Sequence, residues 1–248
     1  MDIPEGIKNN QQLPQFYFSD RFTGYREIFG TIGVKVTYSP GDRLLMHDNT
    51  GDYYYYLVSG IAKLCMKGAN GKESIICFFG GDCYLPLRDH NEFRHWLSSE
   101  SIYIKAFSEA EAIKIPKENM TFLLEDKNFS RKVYELSSDL VILLLYKNIS
   151  SSSTKTFNRI CDFIWVYVND LNTKGIVLTQ SQIAQVIGTT KLEVARTLRY
   201  LRDNGYVTTG RNKIAITDNE KFFSLCDMNI LPLSKKASAK RFDERPRQ

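Results

Sequence analysis

The chain has 248 residues, enough for two domains that each bury their own core. Its composition is 43% hydrophobic and 25% charged with a formal net charge of +5, which is typical of a globular protein and favours a polyanionic partner. Residues 140–146 are too short an apolar run to span a bilayer, and residues 1–15 lack the basic start and apolar run of a signal peptide. We therefore expect a cytoplasmic protein with no membrane partner.

Residues 33–116 predict short strands separated by turns. Turn residues recur at Pro40-Gly41, Ser59-Gly60, Asn70-Gly71 and Gly80-Gly81, and the runs between them are rich in aromatic and aliphatic side chains. Asn70-Gly71 predicts a two-residue hairpin turn, because both residues tolerate a positive φ. Since no long helical pattern interrupts the strands, we predict an antiparallel β-roll in an α+β protein, within a first domain of residues 1–127.

A helical apolar period follows over residues 128–152. Steps of four and three residues alternate along a seam typical of coiled coils, formed by Phe129, Val133, Leu136, Leu140 and Leu143. A second apolar face is formed by Val141, Ile142, Leu144 and Leu145. The pattern predicts a homodimer interface along the seam, and a helix buried within one monomer is the alternative. The serines at 150–153 are expected to end the helix as a hinge, within a segment of residues 128–155.

Residues 156–231 predict a winged helix-turn-helix. Thr179 is the expected N-cap of a helix over residues 180–186, and Gly188 permits a tight turn before a second helix over residues 191–202. That second helix has apolar residues four and three apart, namely Val194, Leu198 and Leu201. Two short strands, residues 206–209 and 213–217, flank a turn and form the wing.

The outward side chains of this segment predict contacts with double-stranded DNA. The candidates are Thr179, Gln180, Thr190, Lys191, Leu192, Arg196, Arg199 and Arg211. Arg196 can offer two donors to guanine, and Lys191 and Arg199 can bind phosphates. A solvated, charged helix in an ordinary helical domain is the alternative. Residues 232–248 carry six positive and two negative side chains, and this +4 is expected to form a flexible basic tail.

These motifs, in this order, resemble the family of the cyclic AMP receptor protein and the fumarate-nitrate reduction regulator (CRP/FNR) over about residues 33–217. In the roll the resemblance is carried by Pro40-Gly41-Asp42, residues 54–60, Lys63, Gly71-Lys72 and Gly81-Asp82. In the second half it is carried by Thr179-Gln180, Ile183-Ala184, Gly188 and the Val194, Arg196, Leu198 spacing. The resemblance implies a dimeric transcription regulator and no enzyme, with RNA polymerase as a partner if it is an activator.

Two departures from the family pattern limit which ligand the regulator could sense. Residues 83–88 lack the Glu, and residues 99–102 lack the Arg, with which cyclic-nucleotide members bind their ligand. Residues 1–64 lack the cysteines of the iron–sulfur members. The chain therefore resembles a divergent branch that includes virulence activators and halogenated-aromatic sensors. That resemblance implies an unidentified small-molecule effector, or none, and makes cyclic AMP unlikely as the ligand.

An effector pocket is predicted from aromatic and basic side chains near the roll and long helix: Phe79, Tyr84, Arg88, His95 and Tyr134, with Phe78, His90, Arg94 and Trp96 nearby. Roll core for the aromatics and an exposed loop for the others are the alternatives. No cofactor is expected, because His47, His90 and His95 are too scattered for a haem or metal site, or for a cupin-like enzyme. The five cysteines are expected to be buried apolar residues.

The operator follows from one substitution in the recognition helix. Family members usually carry a Glu four residues before the Arg, and the pair contacts G·C pairs. Leu192 takes that Glu position here, four residues before Arg196. Because leucine cannot accept a hydrogen bond from cytosine, the resemblance predicts an A·T-rich inverted repeat.

Overall fold

The computed structural model describes residues 14–45, 53–85, 101–210 and 213–227. The chain divides into two compact units, one of Gln12–Leu144 with Ser181–Gly188 and one of Leu145–Gln180 with the residues from Thr189 onward. The described strands are β1 (Tyr17–Phe18), β2 (Val34–Tyr38), β3 (Arg43–Leu45), β4 (Tyr53–Ser59), β5 (Ala62–Lys67), β6 (Glu73–Phe79), β7 (Cys83–Leu85), β8 (Ile102–Ala106), β9 (Ala110–Pro116), β10 (Val207–Gly210) and β11 (Lys213–Ile216). The α-helices are α1 (Arg26–Ile32), α2 (Thr121–Glu125), α3 (Lys127–Ser153), α4 (Thr156–Asn169), α5 (Gln180–Ile187), α6 (Lys191–Asp203) and α7 (Asn219–Phe223).

The first unit contains the predicted β-roll. One sheet has the order β1-β6-β5-β8-β3 and the other β2-β9-β4-β7. Their pairs are antiparallel except β1 with β6, which is parallel. The turn between β5 and β6 is longer than the predicted two residues: Gly71 has a φ of +75°, but the Asn70 side chain accepts a hydrogen bond from the Lys72 N–H at 3.0 Å. The position of the turn was therefore predicted correctly, but its length was not.

An N-terminal segment that the sequence did not predict completes the core of the roll. The ring of Phe22 lies 5.7 Å from that of Tyr84, and the ring of Phe29 lies 4.5 Å from that of Tyr56. Arg26, on α1, binds both carboxylate oxygens of Asp82, with Nε at 2.8 Å and Nη2 at 2.9 Å. This bidentate pair fixes α1 to the turn before β7.

Helix α3 buries much of the predicted dimer seam within its own chain. The buried members are Phe129, Leu136 and Leu143, while Val133 and Leu140 are half-buried. Phe129 meets the rings of Phe22 and Tyr84 edge-on, at 5.6 Å in both cases. The interface prediction is therefore corrected for the three buried side chains, because their apolar surface is already used inside one protomer.

The other apolar face of α3 is exposed. It is formed by Tyr134, Val141, Ile142, Leu144, Leu145 and Ile149. At 3.6 residues per turn, the centre of this face lies about 170° around the helix from the buried stripe. The predicted seam is thus the more buried of the two apolar faces, and the second apolar face is the exposed one.

The serine run does not end α3, which continues to Ser153. The hydroxyls of Ser151 and Ser153 donate to the backbone carbonyls of Asn148 and Ile149 at 2.8 and 2.7 Å. Serine in a helix can bond back to the preceding turn in this way, so the run is compatible with helix. The chain leaves the helical conformation directly after the serines, at Thr154 and Lys155, which lie within the predicted segment of residues 128–155.

The second unit has α4 at its centre. Every residue of α4 from Ile160 to Tyr167 is buried. The indole of Trp165 stacks on Phe222 of α7 with 6.3 Å between ring centroids. Helix α6 packs on α4 and on β10, and β10 pairs with β11 as the predicted wing. Cys161 is buried, as are Cys65, Cys77 and Cys83, which confirms the prediction for four of the five cysteines.

Candidate nucleic-acid interface

Helix α6 is fixed at its start and along its inner side. Its N-cap is Thr190, whose hydroxyl accepts a hydrogen bond from the Glu193 N–H at 3.2 Å. Val194, Leu198 and Leu201 are buried, as their spacing of four and three residues predicts. A helix anchored in this way presents its remaining side chains in fixed directions.

The turn before α6 depends on one glycine. Gly188 follows the last residue of α5 and has a φ of +76°. This left-handed conformation is strained for a residue with a Cβ, although the space around it is open. Gly188 therefore has the turn conformation that the sequence predicted.

The structure places three predicted contact residues on one exposed face of α6. Leu192, Arg196 and Arg199 follow one another at steps of four and three residues, and all three are exposed, with Leu192 at 56%. Lys191, Thr190, Thr179 and Gln180 are also exposed, whereas Arg211 lies outside the described residues. From Lys191 to Asp203 the helix has four basic and two acidic side chains, a net +2 that suits a phosphate backbone.

Residues 158–222, which contain this helix and the wing, match the family of Crp-like helix-turn-helix domains. The chain is also 22% identical over 202 residues to the transcriptional activatory protein AadR of Rhodopseudomonas palustris, covering 80% of this chain and 84% of AadR. Residues 158–222 are therefore a Crp-like helix-turn-helix domain, and the chain as a whole is similar to a transcription regulator. The proteins it matches are regulators and not enzymes, so the cupin-like alternative does not hold.

Solved structures show the same fold as this regulator. CLP of Xanthomonas campestris, a c-di-GMP responsive global regulator, is 13% identical with a TM-score of 0.65, covering 79% of this chain and 99% of CLP. CprK complexed with OCPA is 14% identical with a TM-score of 0.65, covering 85% of this chain and 100% of CprK. The β-roll, long helix and helix-turn-helix of this chain therefore have the fold of these solved proteins.

Three of the five predicted effector residues, Phe79, Tyr84 and Tyr134, lie in the described part of the chain. Phe79 and Tyr84 are buried in the roll core, with Phe79 6.0 Å from the ring of Phe18. Tyr134 is 72% exposed on α3 and lines no interior with them. Arg88 and His95 lie outside the described residues, as do His47, His90, Arg94 and Trp96. For Phe79 and Tyr84 the structure supports the alternative of roll core.

Two charged sites were missed by the sequence analysis. On the five-stranded sheet, Glu73 accepts hydrogen bonds from Lys63 at 3.2 Å, from Lys105 at 3.1 Å and from Tyr103. Although burial opposes ionisation, these donors lower the pKa of Glu73 to about 2. Cross-strand register is the signal that could have found this cluster, since Lys63 lies directly opposite Lys105.

The second missed site is Asp162 on α4, which lies inside an apolar run. Its Oδ1 accepts a hydrogen bond from the Asp227 N–H at 2.8 Å, and its Oδ2 has no partner among the described residues. Burial raises its pKa to about 7. The sequence feature that could have identified this site is a single acidic residue within an otherwise apolar run.

The described part of the chain has neither a metal site nor a membrane-spanning helix. No group of three or more His, Cys, Asp and Glu side chains there could hold a metal ion. No helix within those residues is long and apolar enough to cross a bilayer.

Proposed function

We propose that the regulator is a homodimer that binds a near-palindromic operator through helix α6. The observation that carries this proposal is the exposed row of Leu192, Arg196 and Arg199 on a helix whose opposite side is buried. A helix with one such face can lie in a major groove with its side chains at the base edges. Arg196 would contact bases, while Lys191 and Arg199 would bind phosphates together with Thr179, Gln180, Thr190 and Arg211.

The proposed operator is an A·T-rich inverted repeat with half-sites about one helical turn apart. Leu192 is exposed and offers only apolar surface, which suits the methyl group of thymine better than the amino group of cytosine. Replacing it should therefore change the sequence preference. Leu192→Glu should move it towards G·C at one position in each half-site.

Dimerisation is proposed through the exposed apolar face of α3. Tyr134, Val141 and Leu145 follow one another at steps of seven and four residues, as residues in a coiled-coil seam do. A second copy of the same helix is the partner that would cover this face. Two copies related by a twofold axis would also present two α6 helices, as an inverted repeat requires.

Control by a signal at the β-roll domain, residues 1–127, is also proposed. CLP is described as responsive to c-di-GMP and CprK has been solved with OCPA, so small molecules regulate or bind proteins of this fold. The ligand would shift the population of dimers towards the arrangement that fits the operator, or away from it. We place the regulator in the cytoplasm; if it activates, as the name of AadR describes for that protein, RNA polymerase is a further partner.

Selection of bound duplexes from random oligonucleotides tests the proposal, with and without an extract of small metabolites. The wild type should select an A·T-rich inverted repeat, and Arg196→Ala should lose about 1–3 kcal/mol of binding to it for each well-made contact. Arg202→Ala is the matched control at the far end of α6, and it should weaken binding to all sequences alike. If no duplex is enriched in either condition, or if Arg196→Ala leaves the selected sequence and its affinity unchanged, the proposal fails.

A further inference from the structure

Arg196 forms an ion pair with a neighbouring side chain on α6. Its Nη1 lies 3.2 Å from Oε1 of Glu193, three residues earlier on the same helix. Both side chains are accessible, with exposed fractions of 67% for Arg196 and 43% for Glu193. In the family that the sequence resembles, a Glu usually lies four residues before this arginine, and this chain has Leu192 at that position.

The backbone of Glu193 is fixed more firmly than that of an ordinary surface residue. Its N–H donates to the Thr190 hydroxyl, and the next residue, Val194, is buried. A glutamate at the third position of a helix often bonds back to the N–H of the N-cap residue, in a capping box. Here the carboxylate points forward to Arg196 instead.

We propose that Glu193 is a positioning residue that orients the guanidinium of Arg196 and thereby sets base specificity. The inference rests on the proposed function of α6. With Nη1 held by the carboxylate, the edge formed by Nε and Nη2 stays free, and this edge can donate two hydrogen bonds to one guanine. The carboxylate also repels phosphates, so it keeps Arg196 away from the backbone and directs it to the bases.

The inference predicts opposite changes in two measured quantities. In Glu193→Gln the side chain keeps its shape but loses its charge, so Arg196 is free to bind phosphates. Affinity for a random duplex should then rise, and the salt dependence should become steeper by about one phosphate contact. Discrimination between the operator and a duplex altered at the base pair that Arg196 contacts should fall by about tenfold.

Asp203→Asn is the matched control, because Asp203 is an exposed carboxylate on α6 that pairs with Arg202 at 3.3 Å. It removes the same charge from the same helix without touching Arg196. Its affinity for a random duplex should rise in the same way, but its discrimination should not change. In an Arg196→Ala background, Glu193→Gln should have no further effect on discrimination.

The experiment uses the full-length chain, the selected operator, the altered operator and a random duplex of equal length, at four salt concentrations. Equal discrimination by Glu193→Gln and Asp203→Asn would overturn the inference, as would a loss of discrimination in Glu193→Gln that persists without Arg196. A wild type that selects no operator would instead refute the proposed function of α6. The two failures are therefore distinguishable.

Discussion

Asp162 makes the stability of the second unit depend on pH. The side chain is 1% exposed, and the groups that face it are Tyr146 of α3, Cys161 beside it on α4, and Cys226 and Asp227 after α7. None of these four is a cation, so none of them provides an opposite charge for the ionised carboxylate. Because burial raises its pKa to about 7, the folded state binds this proton more tightly than the unfolded state does.

The sign and size of the effect follow from this shift in the pKa. The contribution of Asp162 favours folding at low pH and is lost as the pH rises from about 4 to about 7. A rise from 3.8 to about 7 corresponds to about 4 kcal/mol at 1.36 kcal/mol for each pH unit. Asp162→Asn keeps an oxygen acceptor for the Asp227 N–H but buries an amide group without a partner, at a cost of about 1–3 kcal/mol. At pH 8 the variant should therefore be more stable than the wild type by about 1–3 kcal/mol.

Urea unfolding, monitored by the fluorescence of a tryptophan close to Asp162 on α4, measures this effect. Trp165 is buried on α4, and Trp96→Phe would leave it as the single reporter of the two tryptophans in the chain. At pH 4 Asp162→Asn should be less stable than the wild type, and its advantage should appear between about pH 5 and pH 7. Asp203→Asn, which removes an exposed carboxylate, should follow the wild type throughout. A wild-type stability that does not change between pH 5 and 8, or an Asp162→Asn variant that is less stable at pH 8, would refute the reasoning.

Three further outcomes are expected. Val141→Glu combined with Leu145→Glu should give a folded monomer by light scattering, because both side chains are exposed on α3; a dimer of unchanged affinity would contradict the proposed interface. Removing residues 233–248 should flatten the salt dependence of DNA binding and leave the operator unchanged, since a flexible +4 segment neutralises phosphates without contacting bases specifically. Calorimetry should detect no micromolar binding of cyclic AMP, because residues 83–88 lack the Glu and residues 99–102 lack the Arg that bind it in the family the sequence resembles.

The second half of the chain could be predicted well because its signals are local. The spacing of Val194, Leu198 and Leu201 indicated which side of α6 is buried, and Gly188 indicated the turn. Each of these features depends on residues a few positions apart, so the pattern alone determines the geometry. The ion pair of Glu193 with Arg196 is local too, but a choice of side-chain rotamer decides it, and the sequence does not show that choice.

The roll could be predicted only in outline, because its details depend on contacts between distant residues. The strands between residues 34 and 116 were expected, but the segment with Phe22 and Phe29 was not. That segment has no clear period of its own, and its aromatic rings are positioned by Tyr56 and Tyr84 from the sheet. The sequence alone did not place Tyr84 in the roll core for the same reason, since Tyr84 belongs to this aromatic cluster.

Helix α3 shows why an apolar pattern predicts burial but not the partner that provides it. Leu143 and Leu145 are the same residue two positions apart, which places them about 200° apart around the helix. Leu143 is buried by its own chain, whereas Leu145 is 57% exposed. Phe129, on the same buried stripe as Leu143, packs against the rings of Phe22 and Tyr84. The packing of the monomer and the proposed dimerisation involve opposite faces of one helix, so substitutions at Leu143 and Leu145 should affect stability and dimerisation separately.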